Sequence, residues 1–177
     1  MPTATLPRRA GGRAGDPTGD RRATGLPDCR VVSASAPTVV YTDGACGGNP
    51  GPGGWAWIVP EGGFASGAEA RSTNQRMEIM AAWRALQHFR DDPRPIVIVA
   101  DSTYVVKCFT DGWWKGWLAR GWRNSQRQPV ANRDLWEPFI ELVNARGDVE
   151  FRWVKGHSGD RMNDMVDAMA VAHTLAR

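Results

Sequence analysis

The sequence predicts an α/β fold built on one five-stranded mixed β-sheet with helices on both faces. Its first strand-like segments are joined by loops too short for a parallel crossover, which favours antiparallel neighbours. A continuous apolar run at 95–100 is typical of a central strand that is covered on both faces. Helical segments before and after that run follow the order expected for a sheet packed between layers of helices.

Three strands open the predicted domain. The first spans 38–45, is rich in β-branched residues and ends in a glycine-rich loop at 47–54. The second and third are predicted at 55–59 and 64–69, on either side of a Glu-Gly-Gly turn. We therefore expect each of these strands to pair with its neighbour in sequence.

A helix is predicted at 74–89, because apolar residues recur there at helical spacing. One stripe consists of Ile79, Trp83, Leu86 and Phe89. The small residues Ala82 and Ala85 share a neighbouring face with Glu78 and would let a sheet approach closely. The remaining elements are predicted as a strand at 95–100, helices at 102–111 and 132–144, a strand at 148–154 and a helix at 163–175, with a basic, aromatic segment at 112–131.

Charge is unevenly distributed along the 177 residues. Segment 1–37 is rich in Pro, Gly and Arg, lacks a hydrophobic period and is predicted to be a disordered extension. Its six arginines and three aspartates account for the whole net charge of +3, so the domain at 38–177 is neutral. Within that domain, 105–133 contains six basic residues against Asp111 alone. A basic lobe beside clustered acids suits a metal-dependent enzyme that acts on nucleic acid.

Cysteine use and hydropathy indicate the cellular setting. The three cysteines are far apart and lack metal-ligand spacing, which favours a reducing, cytoplasmic location. No apolar run approaches the roughly 20 residues that a transmembrane helix needs, so we expect no membrane partner. The sequence suggests no oligomer interface, and a monomer is the default expectation.

Four carboxylates are the most informative residues of the chain: Asp43, Glu78, Asp101 and Asp167. Three of them lie where a hydrophobic element meets a turn or a small-residue face, so a compact fold could bring all four together. Clustered carboxylates repel one another and lose solvation, which a hard divalent cation between them offsets. The pattern predicts a Mg²⁺ site that acts on phosphate.

Each carboxylate also has a purely structural interpretation. Asp43 is followed by glycine, a common turn pair, and Asp101 is a candidate helix N-cap unless the next serine provides that cap. Glu78 could pair with Arg84 on a helix surface or stabilise the helix N-terminus. Asp167 could lie on a solvated helix face. The predicted metal site would be absent only if all four structural interpretations were correct at once.

Four short motifs contain these carboxylates and occur in a fixed order. They are Thr42-Asp43-Gly44 with the glycine-rich loop, Thr73-Asn74-Gln75-Arg76-Met77-Glu78, Asp101-Ser102-Thr103-Tyr104-Val105, and Trp153-Val154-Lys155-Gly156-His157 with Asn163 and Asp167. Together they resemble ribonuclease HI, the type 1 bacterial ribonuclease H family, over about 38–176. The resemblance implies a ribonuclease H-like fold with a basic handle at 107–131.

The resemblance also implies a reaction. The RNA strand of an RNA–DNA hybrid would be hydrolysed with two Mg²⁺ ions, for which Mn²⁺ could substitute, leaving 5′-phosphate and 3′-hydroxyl ends. Such an activity would serve the removal of primers and R-loops in replication and repair.

Specific roles follow for the residues that match the motifs. The residues that would bind metal and act in catalysis are Asp43, Glu78, Asp101 and Asp167. The residue that would handle a proton is His157. Those that would read ribose 2′-hydroxyls are Asn49, Asn74 and Gln75, and those that would grip a DNA phosphate are Arg71, Thr73 and Asn132.

The tryptophans are divided between the handle and the core. Trp117 and Trp122 are expected to pack the handle on the body, with at least one ring, that of Trp117 in our assignment, touching a sugar or base. Trp136 and Trp153 are expected to be buried in the core.

Other enzymes and binding modules fit the sequence less well. A proofreading exonuclease would need an acidic residue two positions after Asp43, where Ala45 stands. A transposase-like enzyme would need a different acidic spacing and larger appended domains. A non-catalytic hybrid-binding module would have no use for the intact carboxylates and His157.

Overall fold

The computed structural model describes residues 35–175, which contain one five-stranded sheet and five helices. The strands are Thr38–Cys46 (β1), Gly51–Ile58 (β2), Phe64–Ser72 (β3), Ile96–Ala100 (β4) and Val149–Trp153 (β5). The helices are Asn74–His88 (α1), Thr103–Thr110 (α2), Trp113–Ala119 (α3), Arg133–Arg146 (α4) and Arg161–Leu175 (α5). The disordered extension predicted at 1–37 lies outside the described residues, except for its last three positions.

The sheet has the strand order β3-β2-β1-β4-β5 and is mixed, as predicted. The pairs β1–β2 and β2–β3 are antiparallel, whereas β1–β4 and β4–β5 are parallel. All five residues of β4 are buried, which is the reason that this segment is a continuous apolar run. The edges of the sheet are β3 and β5.

Helices cover both faces of the sheet, which confirms the predicted fold class. Successive residues of β2 point to opposite faces. Trp57 belongs to the large core that β2 shares with helices α1, α2 and α4. Its neighbours Ala56 and Ile58 pack instead against Val166 and Ala170 of α5.

Two glycines bring helices unusually close to the sheet. A Cβ atom at Gly44 would lie 2.2 Å from the backbone nitrogen of Glu78, so this glycine allows α1 to pack directly on β1. A Cβ atom at Gly54 would lie 2.1 Å from the carbonyl oxygen of Ala170 in α5. The predicted loop at 47–54 was therefore too long, because β2 already begins at Gly51 and uses its glycines for close packing.

The handle is held on the body by tryptophans, as expected. Trp117 and Trp122 are both buried, and the Trp117 ring meets the fully buried Trp136 edge-on at 5.5 Å between centroids. The prediction for Trp153 was wrong, because this side chain is 50% exposed. It ends the edge strand β5, where no further strand covers it.

Two further expectations concern membranes and thiols. None of the helices within 35–175 is long and apolar enough to cross a lipid bilayer. Cys46 and Cys108 are free thiols. Cys29 lies outside the described residues.

Candidate active site

Asp43 is the most buried of the four carboxylates, with 7% of its surface exposed. It lies within β1, opposite Ala56, so the turn interpretation was wrong. The Gly44 N–H donates a hydrogen bond of 2.7 Å to its Oδ1. Burial raises the pKa of Asp43 to about 8, and the negative charges of Asp101, Asp167 and Glu78 add to that rise. Each of these three acids comes from a different element.

Glu78 lies in the second turn of α1 and is held by two hydrogen bonds. The Ser102 hydroxyl donates to its Oε2, and the Asn74 amide donates to its Oε1 at 2.8 Å. Burial raises the pKa of Glu78, while these two hydrogen bonds oppose the rise. The alternative pairing with Arg84 was wrong, because that guanidinium lies over the ring of Trp83, 5.1 Å from its centroid.

Asp101 follows β4 directly and remains free to act at the site. The N-cap of α2 is Ser102, whose oxygen accepts the N–H of Val105 at 3.4 Å, so the capping role considered for Asp101 was wrong. The Asn163 amide approaches Asp101 Oδ2 at 3.5 Å. A Cβ atom at Gly156 would lie 2.5 Å from the same oxygen, so the loop after β5 passes directly against this carboxylate.

Asp167 and His157 complete the site from α5 and from the loop that precedes it. His157 Nδ1 lies 3.9 Å from Asp167 Oδ2. The imidazole is 81% exposed, and the backbone of His157 has a left-handed φ of 51°. The Asp167 side chain is 29% exposed, and its negative charge contributes to the raised pKa of Asp43.

The donor set fits a hard divalent cation, although the four carboxylates do not form a closed shell. Within 35–175, no group of three or more His, Cys, Asp or Glu side chains is arranged as a preformed metal site. Mg²⁺ and Mn²⁺ prefer oxygen ligands such as carboxylates. Burial raises the pKa of Asp43, and the neighbouring negative charges, which a cation would balance, raise it further.

The predicted ribose-reading residues lie in the β1–β2 turn and in the first turn of α1. Asn49 is exposed in the turn between β1 and β2, and Asn74 and Gln75 form the first turn of α1. Gln75 and Trp117 line one cleft of about 570 Å³ between the handle and the body. Asn74 also bonds to Glu78, a contact that sequence reasoning missed.

The predicted phosphate-gripping residues lie near two helix N-termini. Thr73 caps α1 by accepting the N–H of Arg76, and Asn132 occupies the N-cap position of α4 with a left-handed φ of 56°. Arg76 donates to Asp134 at 2.7 Å and thereby joins the first turns of the two helices. Arg71 is exposed near the end of β3. Helix N-termini attract anions through their free N–H groups.

Sequence reasoning also missed the roles of Ser102 and Asn163 beside the carboxylates. Ser102 was considered only as a cap. Asn163 is 1% exposed, and its Oδ1 has no hydrogen-bond partner among the described residues. Its position four residues before Asp167 on a helix was the available signal, because residues at that spacing share a face.

Comparisons with known proteins show similarity to one family over most of the chain. The RNase H family model matches residues 35–174. The chain is 45% identical over 141 residues to a ribonuclease H of Pelobacter propionicus, covering 78% of this chain and 85% of the relative. It is 46% identical over 134 residues to the ribonuclease HI of Caulobacter vibrioides, covering 74% and 88%.

Two solved structures have the same architecture. LC9-RNase H1, described as a type 1 RNase H with the type 2 active-site motif, matches with a TM-score of 0.64 and 29% identity, covering 77% of this chain and 72% of that one. A foamy viral protease-reverse transcriptase in complex with dsDNA matches with a TM-score of 0.70, covering 80% and 96%. At 20% identity, the second match supports the fold alone.

Proposed function

This chain belongs to the ribonuclease H family, whose enzymes cleave the RNA strand of RNA–DNA hybrids, and we propose that it does so as a divalent-metal-dependent endonuclease. The single observation that best supports the metal dependence is the setting of Asp43. This buried carboxylate has three other acids near enough to raise its pKa, and they come from α1, α5 and the β4–α2 junction. A fold keeps such a costly arrangement mainly where bound cations balance the charge.

The proposed metal ligands are Asp43, Glu78, Asp101 and Asp167. Together these residues would hold Mg²⁺, with two ions per site in the family reaction and Mn²⁺ as a substitute, which would supply charge neutralisation at the phosphate and an activated water. Asp43 would be the central ligand of this set, because a central strand and the Gly44 N–H hold it rigidly. The hydrogen bonds from Ser102 and Asn74 orient Glu78 toward the same site.

We assign His157 to proton transfer at the attacking or leaving oxygen. Its imidazole is exposed to substrate and solvent, and its Nδ1 lies 3.9 Å from Asp167. An imidazole within reach of the reacting oxygens can act as a general acid or a general base. Cleavage is proposed to leave a 5′-phosphate and a 3′-hydroxyl.

Selection of the RNA strand is assigned to polar side chains of the β1–β2 turn and of the first turn of α1. Only RNA has a 2′-hydroxyl to bond with Asn49, Asn74 and Gln75. Arg76 and Asp134 hold the N-termini of α1 and α4 together. This arrangement supports a site at which Arg71, Thr73 and Asn132 would bind a phosphate of the DNA strand. The handle would hold the same strand, with Trp117 at the cleft that Gln75 also lines.

The decisive experiment uses a hybrid in which either strand carries the label. With Mg²⁺ or Mn²⁺ the RNA strand should be cut internally, with EDTA it should remain intact, and the DNA strand should remain intact throughout. Treatment of the products with phosphatase and ligase identifies the ends. Cleavage of RNA in EDTA, or of the DNA strand, would overturn the proposal. The cytoplasmic location, the monomeric state and the use of primers and R-loops as substrates stay predictions.

A further inference from the structure

Trp153 is half exposed at the edge of the sheet but makes a directed hydrogen bond beside the carboxylates. Its indole Nε1–H donates to the main-chain carbonyl of Asp101 at 2.9 Å. The other core tryptophan of the sequence prediction, Trp136, is fully buried, whereas Trp153 leaves 50% of its surface in solvent. Burial of apolar surface alone therefore does not explain why a tryptophan occupies this position.

The hydrogen bond between Trp153 and Asp101 lies just beyond the last residue pair of strands β4 and β5. Trp153 is paired with Ala100, and the N–H of Val154 donates to the Ala100 carbonyl at 3.1 Å. The Asp101 carbonyl lies one residue beyond that carbonyl, after the end of β4. The Trp153 side chain donates to this carbonyl and so adds one hydrogen bond between the two chain segments beyond the last strand pair.

The peptide unit between Asp101 and Ser102 is linked to two of the four carboxylates, those of Asp101 and Glu78. Its carbonyl belongs to Asp101, and its nitrogen belongs to Ser102, whose hydroxyl bonds to Glu78. Fixing this peptide restrains ψ of Asp101 and φ of Ser102, the torsions beside the two Cα atoms that carry the Asp101 carboxylate and the Ser102 hydroxyl.

We propose that Trp153 is a positioning residue, which fixes the Asp101–Ser102 peptide through its indole N–H and so presets the site for divalent metal. The inference rests on the proposed function, because it assigns a role toward the metal that Asp43, Glu78, Asp101 and Asp167 would hold. Groups that orient ligands in this way typically change metal affinity or activity by about 10–100-fold when removed.

The test removes the N–H while keeping an aromatic ring. Trp153→Phe should keep the fold, because the ring borders an open surface groove that Val106 and Phe151 also line. Replacement of Trp153 by benzothienylalanine, in which sulfur takes the place of the N–H, keeps the shape of the ring almost unchanged. The matched control is Trp83→Phe, a partly buried tryptophan in a groove between α1 and α4.

Three quantities are measured for each protein: the Mn²⁺ dissociation constant by calorimetry without substrate, the kcat and KM for a hybrid, and the melting temperature in EDTA. Both Trp153 variants should bind Mn²⁺ about 10-fold more weakly and have a kcat lower by about 10-fold or more, with an unchanged KM. Trp83→Phe should match the wild type in Mn²⁺ affinity and kcat.

Each contrary outcome identifies what has failed. Wild-type Mn²⁺ affinity and kcat in the benzothienylalanine variant would overturn the positioning role, even if Trp153→Phe fails to fold. A higher KM with unchanged Mn²⁺ affinity would also overturn it, since Trp153 would then contact the substrate. If the wild type itself neither binds Mn²⁺ nor cleaves the hybrid, the proposed function fails first, and the role of Trp153 fails with it.

Discussion

The hydroxyl of Ser102 donates to Glu78 while its oxygen also accepts the N–H of Val105. One serine thus begins helix α2 and orients a carboxylate on α1, 24 residues earlier in the sequence. Because the two roles use different parts of the hydroxyl group, substitutions can separate them.

Substitution of Ser102 is expected to affect activity more than helix stability. Glycine is tolerated at N-caps, so Ser102→Gly should cost only about a few tenths of a kcal/mol in capping, whereas Ser102→Ala should cost about 1 kcal/mol. Both should lower kcat by about 10-fold, because both release Glu78. Steady-state kinetics and urea unfolding measure the two effects. Wild-type kcat in both variants would contradict the orienting role.

Asp43→Asn is expected to remove cleavage while preserving binding of the hybrid. Loss of the most buried carboxylate should lower the single-turnover rate by about 10³-fold, because the charge that balances the cations is gone. Hybrid affinity, measured by fluorescence anisotropy in EDTA, should change little. Asp164→Asn, an exposed substitution on α5, is the matched control and should keep full activity. Substantial turnover by the purified Asp43→Asn protein would count against the assignment.

The same variant should be more stable than the wild type in EDTA, increasingly so as pH rises. The pKa of Asp43 is about 8 in the folded protein and 3.8 as an ordinary aspartate, so the folded state binds this proton more tightly. Asp43 therefore favours folding fully below pH 4, and its contribution is lost as the pH rises through about 8.

The expected gain for Asp43→Asn is on the order of 1–3 kcal/mol at pH 8 and near zero at pH 4. Urea unfolding at several pH values measures it, with Asp164→Asn as the reference for loss of a surface charge. Added Mg²⁺ should reverse the order, since only the wild type has the full set of ligands. A clear drop in the melting temperature of Asp43→Asn in EDTA would contradict the crowding of charges.

Arg146 is expected to be important for stability and unimportant for catalysis. Its side chain is 7% exposed, and its guanidinium donates to the main-chain carbonyls of Phe89, Arg90, Asp92 and Arg94. Arg146→Ala should lower the free energy of unfolding by about 3 kcal/mol, because it leaves several carbonyls without a donor. Exposed Arg152→Ala should change it by less than about 0.5 kcal/mol. An unfolding free energy equal to the wild type would refute this prediction.

Removal of residues 1–37 is expected to leave the turnover number and the melting temperature unchanged. All four carboxylates and His157 lie in the described residues, and the family model begins at residue 35. Kinetics at matched salt compare the shortened and full-length proteins. A loss of about 10-fold or more would mean that the basic extension takes part in binding the hybrid.

Most helices and strands could be predicted, because the hydrophobic pattern of a segment reflects which of its faces are buried. The apolar run at 95–100 became the buried strand β4, and the stripe containing Ile79 and Leu86 became the buried face of α1. The glycines at 51–54 were misread as a loop, since a glycine that permits close helix packing has the same sequence signal as a turn glycine.

The site was predictable in its membership and less so in its internal contacts. The types and order of the motifs predict the four carboxylates, and in the structure the charges of Asp101, Asp167 and Glu78 act on Asp43. Their role as metal ligands stays a prediction. The capping role of Ser102 was one of two open alternatives, and the exposure of Trp153 was contrary to expectation. Neither residue has a local pattern that reveals its partner.

The sequence by itself determined which side chains are acidic, which faces are apolar and which family this chain belongs to, because those properties belong to short segments. Only the tertiary structure decided which acids are buried and which donors hold them. The contacts that do so join residues far apart in the chain, such as Trp153 with Asp101 and Asn163 with the same aspartate, 52 and 62 residues away. Their geometry depends on how the sheet, α1 and α5 pack, and no periodicity within one element specifies it.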